Sequence, residues 1–364
     1  PGIDFNLPVP AALVREWGGT PKKYPRARDD MGALVQAVRR AIEECDLVTI
    51  IAGSSAGEHD LTSDVVGETG ELLAHGIDVM PGKPAVLGKV GNKPLLGVPG
   101  YPVSAIVIAR EILRPALEKF LGSAAPVHAN VRALVPKKIA SHLGLEEFLR
   151  VTLGRVGEKL VAVPLARGAG VITTMVHADG LLRIPSLVEG LNAGEETEVE
   201  LLRPIADIEN TILCTASHDL AIGVLEDQLK LSHPELKIAA TNVGSLGGLL
   251  ALERGETHIG GTHLLDTESG VYNIADIKKT IPKVPLVLVH LAQREQGILA
   301  ARGNPKSISG LKDITKAGIR FVNRQSGSGT RVLLDHELKK LGIDPAIIDG
   351  YEREKFTHME IGVE

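Results

Sequence analysis

Glu58 and Asp60 stand two residues apart at the end of a loop of small residues, Gly53-Ser54-Ser55-Ala56-Gly57. Two carboxylates this close repel each other unless a cation, or a positive charge developing in a reaction, sits beside them. The residues before them have the opposite character. Glycine and serine let a backbone approach a bound group closely, and they present N–H and O–H donors that suit an anion. Donors for an anion next to acids for a cation suit chemistry on a phosphate with a metal ion present. The same residues also suit a plainer role. Ser54, Ser55 and Asp60 can cap the next helix, with Glu58 solvated near its positive end. His59 has no second histidine at ligand spacing and reads as a solvated loop residue.

The elements that must position this loop are legible around it. The apolar, β-branched run Leu47–Ala52 has the composition of a strand buried on both faces. Before it, Leu34, Val35, Val38, Ala41 and Ile42 recur at helical spacing, with Asp29 or Asp30 as the cap. After it, residues 61–74 are predicted as a helix. A short strand then breaks at Pro99-Gly100 into a tight turn, and a helix follows over 104–120, with Ser104 as its cap and Gly122 just past its end. Alternating strands and helices predict a mainly parallel sheet with helices on both faces. Residues 123–204 change texture. Short β-like runs at 130–135, 147–153, 160–164, 180–185 and 196–202 are separated by Gly, Pro and charge, as in a small β-barrel. From 205 the α/β alternation returns. Strands are expected at 211–215, 238–242, 286–290 and 318–322, and helices at 219–231 and 246–254. The chain therefore divides as 1–122, 123–204 and 205–364.

Composition bounds the rest. The chain has 364 residues, 44% of them hydrophobic and 23% charged, as in an ordinary globular protein. Only 3% are aromatic, so its cores are built from Val, Ile, Leu and Ala. A net charge of −5 without a basic block gives no bulk attraction to nucleic acid. No apolar run approaches membrane-spanning length and no signal peptide is visible. Cys45 and Cys214, far apart and beside apolar runs, read as buried free thiols and fit a reducing cytoplasm.

Three segments in one order carry a resemblance: the loop 52–60, Met80-Pro-Gly-Lys-Pro84, and Gly97-Val-Pro-Gly-Tyr-Pro-Val-Ser104. Followed by a small β module, they resemble the molybdopterin-binding module of the MoeA/gephyrin molybdenum-insertase family over residues 1–204. Ala52 and Tyr101 depart from the family pattern, which has glycine and asparagine there. The resemblance implies a three-layer molybdopterin-binding α/β domain that binds molybdopterin-adenylate and molybdate. It also implies a divalent metal such as Mg2+, and a molybdotransferase reaction that hydrolyses the pyrophosphate link and leaves molybdenum on the dithiolene. Gly53, Ser54, Ser55 and Gly57 would cradle phosphate oxygens. Lys83 would add a point charge, and Pro99, Gly100 and Ser104 would line the ligand. Glu58 and Asp60 would hold the metal or orient the attacking oxygen, with Asp60 matching the family's functional aspartate. A homodimer is expected on the same ground, with its site completed by N-terminal domains. Since the chain starts at Pro1, a fragment is the expectation.

The last stretch resembles the periplasmic-binding-protein superfamily through Cys214-Thr-Ala-Ser-His-Asp-Leu220, Thr241-Asn-Val-Gly-Ser-Leu-Gly-Gly248, Gly260-Gly-Thr-His-Leu-Leu-Asp266 and Gln325-Ser-Gly-Ser-Gly-Thr-Arg331. Ser217, Ser245, Thr262 and Ser328 are candidate hydroxyl donors to an oxyanion, with Arg331 adding charge. Each serine alone can equally be a helix cap. The Ser217/Ser245 pair resembles that of molybdate-binding transport proteins, which implies molybdate or tungstate. Two other readings compete for the whole chain. One is a non-catalytic pterin and oxyanion sensor; the other is a pterin adenylyltransferase, whose Gly-rich loop is similar.

Overall fold

The computed structural model describes residues 6–51, 61–123, 129–217, 219–356 and 358–364. The chain forms two compact units, Pro1–Leu213 with Leu220–Thr241, and Cys214–Asp219 with Asn242–Glu364.

In the first unit, α1 (Pro8–Glu16) and α2 (Met31–Glu44) precede β1 (Val48–Ile51). Asp30 is the α2 cap, its carboxylate accepting the Ala33 N–H at 3.0 Å. The apolar stripe of α2, Val35, Val38 and Ala41, packs on Val48, Val65, Val66, Val86 and Leu95. Next come α3 (Leu61–Thr69), β2 (Glu71–His75), β3 (Val79–Met80), β4 (Val86–Val90) and β5 (Lys93–Val98). Helix 61–74 is thus shorter than expected. The cause is Gly70, where a Cβ would sit 2.1 Å from the Lys89 carbonyl oxygen. The chain turns there and returns as β2 beside β4. The sheet order is β1-β5-β4-β2, with β1–β5 parallel and the other two pairs antiparallel. Among the described strands the sheet is therefore mixed rather than mainly parallel. Gly91-Asn92 forms a two-residue hairpin between β4 and β5, with Gly91 at φ 59°. β1 ends the order of described strands, so only Val48 is fully buried and the other three residues are half-exposed.

Helix α4 (Pro102–Ile108) begins two residues before the expected cap, because Pro102 takes the first helical position with its φ already set. It runs through a π-turn at Ala109–Leu113 into α5 (Arg114–Leu121), which Gly122 ends at φ 62°.

The β module contains β6 (Asn130–Leu134), β7 (Ile139–Ala140), β8 (Glu146–Val156), β9 (Lys159–Pro164), α6 (Thr173–His177), β10 (Gly180–Ile184), β11 (Gly190–Leu191) and β12 (Glu196–Leu201). The order β10-β12-β6-β9-β8 closes on itself through a β10–β8 pairing, which makes a five-stranded barrel. Its core includes Val151, Leu153, Leu182, Ile184 and Val199. β3 pairs parallel with β8, Val79 opposite Glu146, so the barrel and the preceding α/β layer share a sheet across the expected boundary at 122. The boundary expected at 204 is bridged too. Leu213 and Ala239 pack on Val161 and Val163, and Lys237 Nζ lies 2.6 Å from the fully buried Asp179.

Glu111, on the π-turn, lies among Glu146, Glu200, Arg110 and Arg183. Arg183 binds Glu146 with two bonds of 2.6 and 2.7 Å and stands 3.8 Å from Glu111. Burial raises the Glu111 carboxyl above its usual value, with Arg183 opposing. Folding therefore favours its protonated form, and stability falls as pH rises above the usual glutamate range. Glu111→Gln is expected to melt higher than the parent at pH 7.5, with the gap closing by pH 4; melts at both values check this.

β13 (Thr211–Ala216) leads into the second unit, while α7 (Ala221–Ser232) and nearly all of β14 (Lys237–Asn242) belong to the first. In the second unit β13 pairs parallel with β15 (Ile259–Gly260), Thr215 opposite Gly260. α8 (Ser245–Glu253) lies against β13 at Gly248, where a Cβ would come within 2.6 Å of the Thr215 carbonyl. Then come α9 (Ile274–Thr280), β16 (Asn323–Arg324), α10 (Gly329–Leu341), β17 (Glu354–Lys355) and α11 (His358–Val363). β16 and β17 pair in parallel over a core of Ile314, Leu338, Ile348 and Tyr351. Neither 286–290 nor 318–322 forms the expected strand. Val287 and Val289 are 86% and 75% exposed; β-branched composition suits a strand, but a strand also needs a ladder partner. Both cysteines are free thiols, Cys214 buried and Cys45 half-buried.

Candidate functional site

The strands that lead into two of the sequence motifs are neighbours in the first sheet. β1 and β5 are parallel neighbours in the register Ile51↔Val98. The chain therefore leaves both strands side by side at their carboxyl ends, where open α/β sheets hold ligands. Residue 52 onward leaves β1, and Pro99-Gly100-Tyr101 leaves β5. Gly53, Ser54, Ser55, Gly57, Glu58 and Asp60 lie outside the described residues. The helix on their far side, α3, returns to this edge. Thr62 is buried against Gly97, where a Cβ would come within 2.7 Å of the Thr62 methyl and 2.8 Å of Val86 Cβ. Gly97 lets α3 close down on the sheet.

The second motif packs on the helix that the third begins. The turn Pro81–Pro84 follows a cis Met80–Pro81 bond and holds Gly82 at φ 137°. A Cβ on Gly82 would lie 2.8 Å from Ile108 of α4, so the turn sits on the helix that begins at Pro102. Lys83 is exposed, and it makes no ion pair among the described residues. Pro99 is buried, and Gly100 accepts a hydrogen bond from the Asn6 amide. Ser104 is 4% exposed inside the first turn of α4; as a cap its place is taken by Tyr101.

Arg150 escaped the sequence reading. The residue is 3% exposed, and its guanidinium donates to the Ala166 carbonyl at 3.0 Å, the Gly168 carbonyl at 3.2 Å and the Thr174 hydroxyl at 3.1 Å. Burial pulls its pKa down, with Glu147 opposing. The segment it braces delivers the Ala169 carbonyl to the Val103 N–H at 2.9 Å, and it sets Gly170 against the Tyr101 ring. A barrel loop thus covers the first turn of α4 next to the Pro99–Tyr101 turn. The available signal was an arginine in the apolar run Phe148–Leu153, since a strand arginine buried on every side needs backbone partners.

In the second unit, Ser217 and Ser245 meet with their hydroxyl oxygens 3.4 Å apart. Ser245 begins α8 and is 6% exposed. Its Oγ accepts the His263 N–H at 3.1 Å and stands 3.0 Å from His263 Nδ1. Thr262 instead donates to the Asn273 side-chain oxygen at 3.1 Å, and the Leu264 N–H binds the same oxygen. Asn273 is held at φ 70°, so it fixes the Thr262–Leu264 turn. Ser328 caps α10, accepting the Arg331 N–H at 3.3 Å. Gly329 behind it touches His263, since a Cβ there would lie 2.8 Å from Nε2. Ser217, Ser245 and the start of α10 are therefore linked through His263. Arg331 turns away: it pairs with Asp335 and Glu354 at 3.0 Å and stacks 4.0 Å over the Tyr351 ring. Its charge, expected to serve an anion, is matched within the fold. Asp266 closes a turn through Ser269 and the Glu268 N–H, which lower its pKa.

Among the described residues no three His, Cys, Asp or Glu side chains could hold a metal ion, and no helix is long and apolar enough to cross a membrane.

Residues 2–119 match the family described as "Probable molybdopterin binding domain", residues 132–202 match "MoeA C-terminal region (domain IV)", and residues 226–364 match "PBP superfamily domain". A protein of Methanocaldococcus jannaschii named for molybdopterin biosynthesis is 32% identical over 201 residues, which cover 55% of this chain and 48% of that one. Molybdopterin molybdenumtransferase 2 of Mycobacterium tuberculosis is 28% identical over 203 residues, 54% of this chain and 50% of that one. The uncharacterized protein YvgK of Bacillus subtilis is 37% identical over 136 residues, 37% and 44% of the two chains. The chain spans about half the length of these curated relatives.

Proposed function

We propose that this chain, a MoeA-type protein carrying a PBP superfamily domain, acts in molybdenum cofactor biosynthesis as the core of a molybdopterin molybdotransferase. The observation that carries this is the register Ile51↔Val98, which starts two of the three motifs side by side at the carboxyl edge of a parallel strand pair. Such an edge suits the phosphoryl tail of molybdopterin, taken as its adenylate. Gly53, Ser54, Ser55 and Gly57 donate to phosphate oxygens, and Lys83 adds a mobile positive charge. Pro99 and Gly100 shape the wall and Ser104 braces it from within α4. Glu58 and Asp60 are the groups that would hold a divalent cation such as Mg2+. When bound, that cation neutralises charge developing on the phosphoryl group. Asp60 orients the attacking oxygen, and the backbone donors hold the developing anion without reorganising. Molybdate is the second substrate, and a homodimer the working form.

The PBP superfamily domain is proposed to bind a tetrahedral oxyanion, molybdate or tungstate. The hydroxyls of Ser217 and Ser245 are the principal donors, Thr262 and Ser328 lie at the margin, and Arg331 holds the fold beneath. Neutral donors at a helix start bind such anions without a buried counter-charge.

Two titrations test the two halves. Molybdopterin added to this chain should bind weakly, with little insertion of molybdenum; vigorous insertion would show that no further domain is needed. Calorimetry with molybdate, tungstate and sulfate should give one binding event that Ser217→Ala with Ser245→Ala removes. Silence with all three anions would remove the oxyanion assignment.

A further inference from the structure

We propose that His263 is the proton-linked donor of the oxyanion site, so that a tetrahedral dianion held by Ser217 and Ser245 binds together with one proton taken from solvent onto the imidazole. The inference rests on the oxyanion assignment above and deepens it.

The argument is a count of protons. Ser245 Oγ already accepts the His263 backbone N–H at 3.1 Å. It has one proton to give. When the ring is neutral with its hydrogen on Nε2, Nδ1 is an acceptor 3.0 Å away, and the Ser245 proton is committed to it. Ser217 is then the hydroxyl of the pair with a proton to give a ligand; the other neutral tautomer, with its hydrogen on Nδ1, would also free the Ser245 proton but brings no positive charge. When the ring is protonated, Nδ1–H donates to Ser245 Oγ, and the Ser245 proton is released toward a bound oxygen. Protonation also sets a positive charge one hydroxyl away from the anion. The ring is held in this pose. Gly329 leaves no room for a Cβ beside Nε2 and Cδ2, at 2.8 and 2.9 Å, and Asn273 pins the backbone on either side.

The surrounding charges set the resting state. Burial lowers the His263 pKa, Arg294 lowers it further, and Asp219 opposes them. Arg294 and Asp219 pair at 3.8 Å. From α8 the facing group is the neutral Ser245. On α10, Arg331 is matched by Asp335 and Glu354. Asp266, on the turn of His263 itself, is held by Ser269. The empty site therefore rests neutral near pH 7, and a dianion supplies the missing counter-charge.

The test is calorimetric titration of the whole chain with sulfate, whose charge is constant over the range, and with molybdate. Titrations run from pH 5.5 to 8.5, in paired buffers of different ionisation heat. The expected result is net uptake of up to one proton, with affinity rising as pH falls by no more than tenfold per unit. His263→Asn should bind with no proton uptake and a flat pH profile. Tight binding without proton uptake in the parent protein, or an unchanged pH slope in His263→Asn, overturns the role of His263 and leaves the oxyanion site standing. No binding of either anion at any pH removes the site itself and this inference with it.

Discussion

Asp60→Ala, made in the full-length protein, is expected to lower molybdenum insertion by about 10²–10³-fold while molybdopterin affinity changes little. The magnitude is that of removing one preorganised group that acts on charge developing in the transition state. The split between rate and affinity follows from the division of labour around the loop. On the proposed reading, backbone and hydroxyl donors at 53–57 would grip the pterin's phosphoryl tail, and the substitution leaves them in place. Asp60 is proposed to serve the cation and the attacking oxygen, whose demands arise as the reaction proceeds. Glu58→Ala should show the same sign with a smaller effect. Single-turnover insertion and equilibrium pterin binding, measured on one preparation, separate the two quantities. Insertion at the parent rate would take Asp60 out of the mechanism.

Arg150→Ala is expected to destabilise the first unit by about 3–5 kcal/mol. The guanidinium is buried, and its removal strands the Ala166 and Gly168 carbonyls and empties a large side-chain volume. Each orphaned buried acceptor costs about 1–3 kcal/mol, and the cavity adds to it. Arg150→Lys should recover only part, because one ammonium cannot reproduce a fork that reaches two carbonyls and a hydroxyl. Denaturant melts of the two variants give the stabilities. Pterin binding under native conditions should also weaken, since the segment at 166–171 covers the first turn of α4 beside the motif turn. A melt within 1 kcal/mol of the parent would contradict the bonding described here.

Much of this architecture was readable from local pattern. The α2 stripe and its Asp30 cap, the Gly122 stop and the five runs that became barrel strands all follow from periodicity and turn chemistry, which are properties of neighbouring residues. The misses have a common cause. Gly70 ends a helix because of the Lys89 carbonyl, which is nineteen residues away. Gly91-Asn92 joins two antiparallel strands, where the overall α/β rhythm suggested parallel ones. The run 286–290 has every local mark of a strand and finds no ladder partner. At the sites, chemical type was legible and partnership was not. Arg331 looked available to an anion until Asp335, Glu354 and Tyr351 were seen around it. Arg150 drew no role, and His263 only a place lining the cleft with Asp266, because their importance comes from carbonyls and hydroxyls brought together by the fold.

The short strand β3 has a consequence for how such proteins can be recombined. It ends one residue before the Pro81–Pro84 turn, and its ladder partner belongs to the barrel. A graft that carries residues 1–122 into a foreign host would leave that turn moored at only one end, and Lys83 with it. The α/β layer and the barrel are therefore expected to travel between proteins as one inherited cassette, with exchange tolerated only at seams that leave the Val79–Glu146 pairing intact.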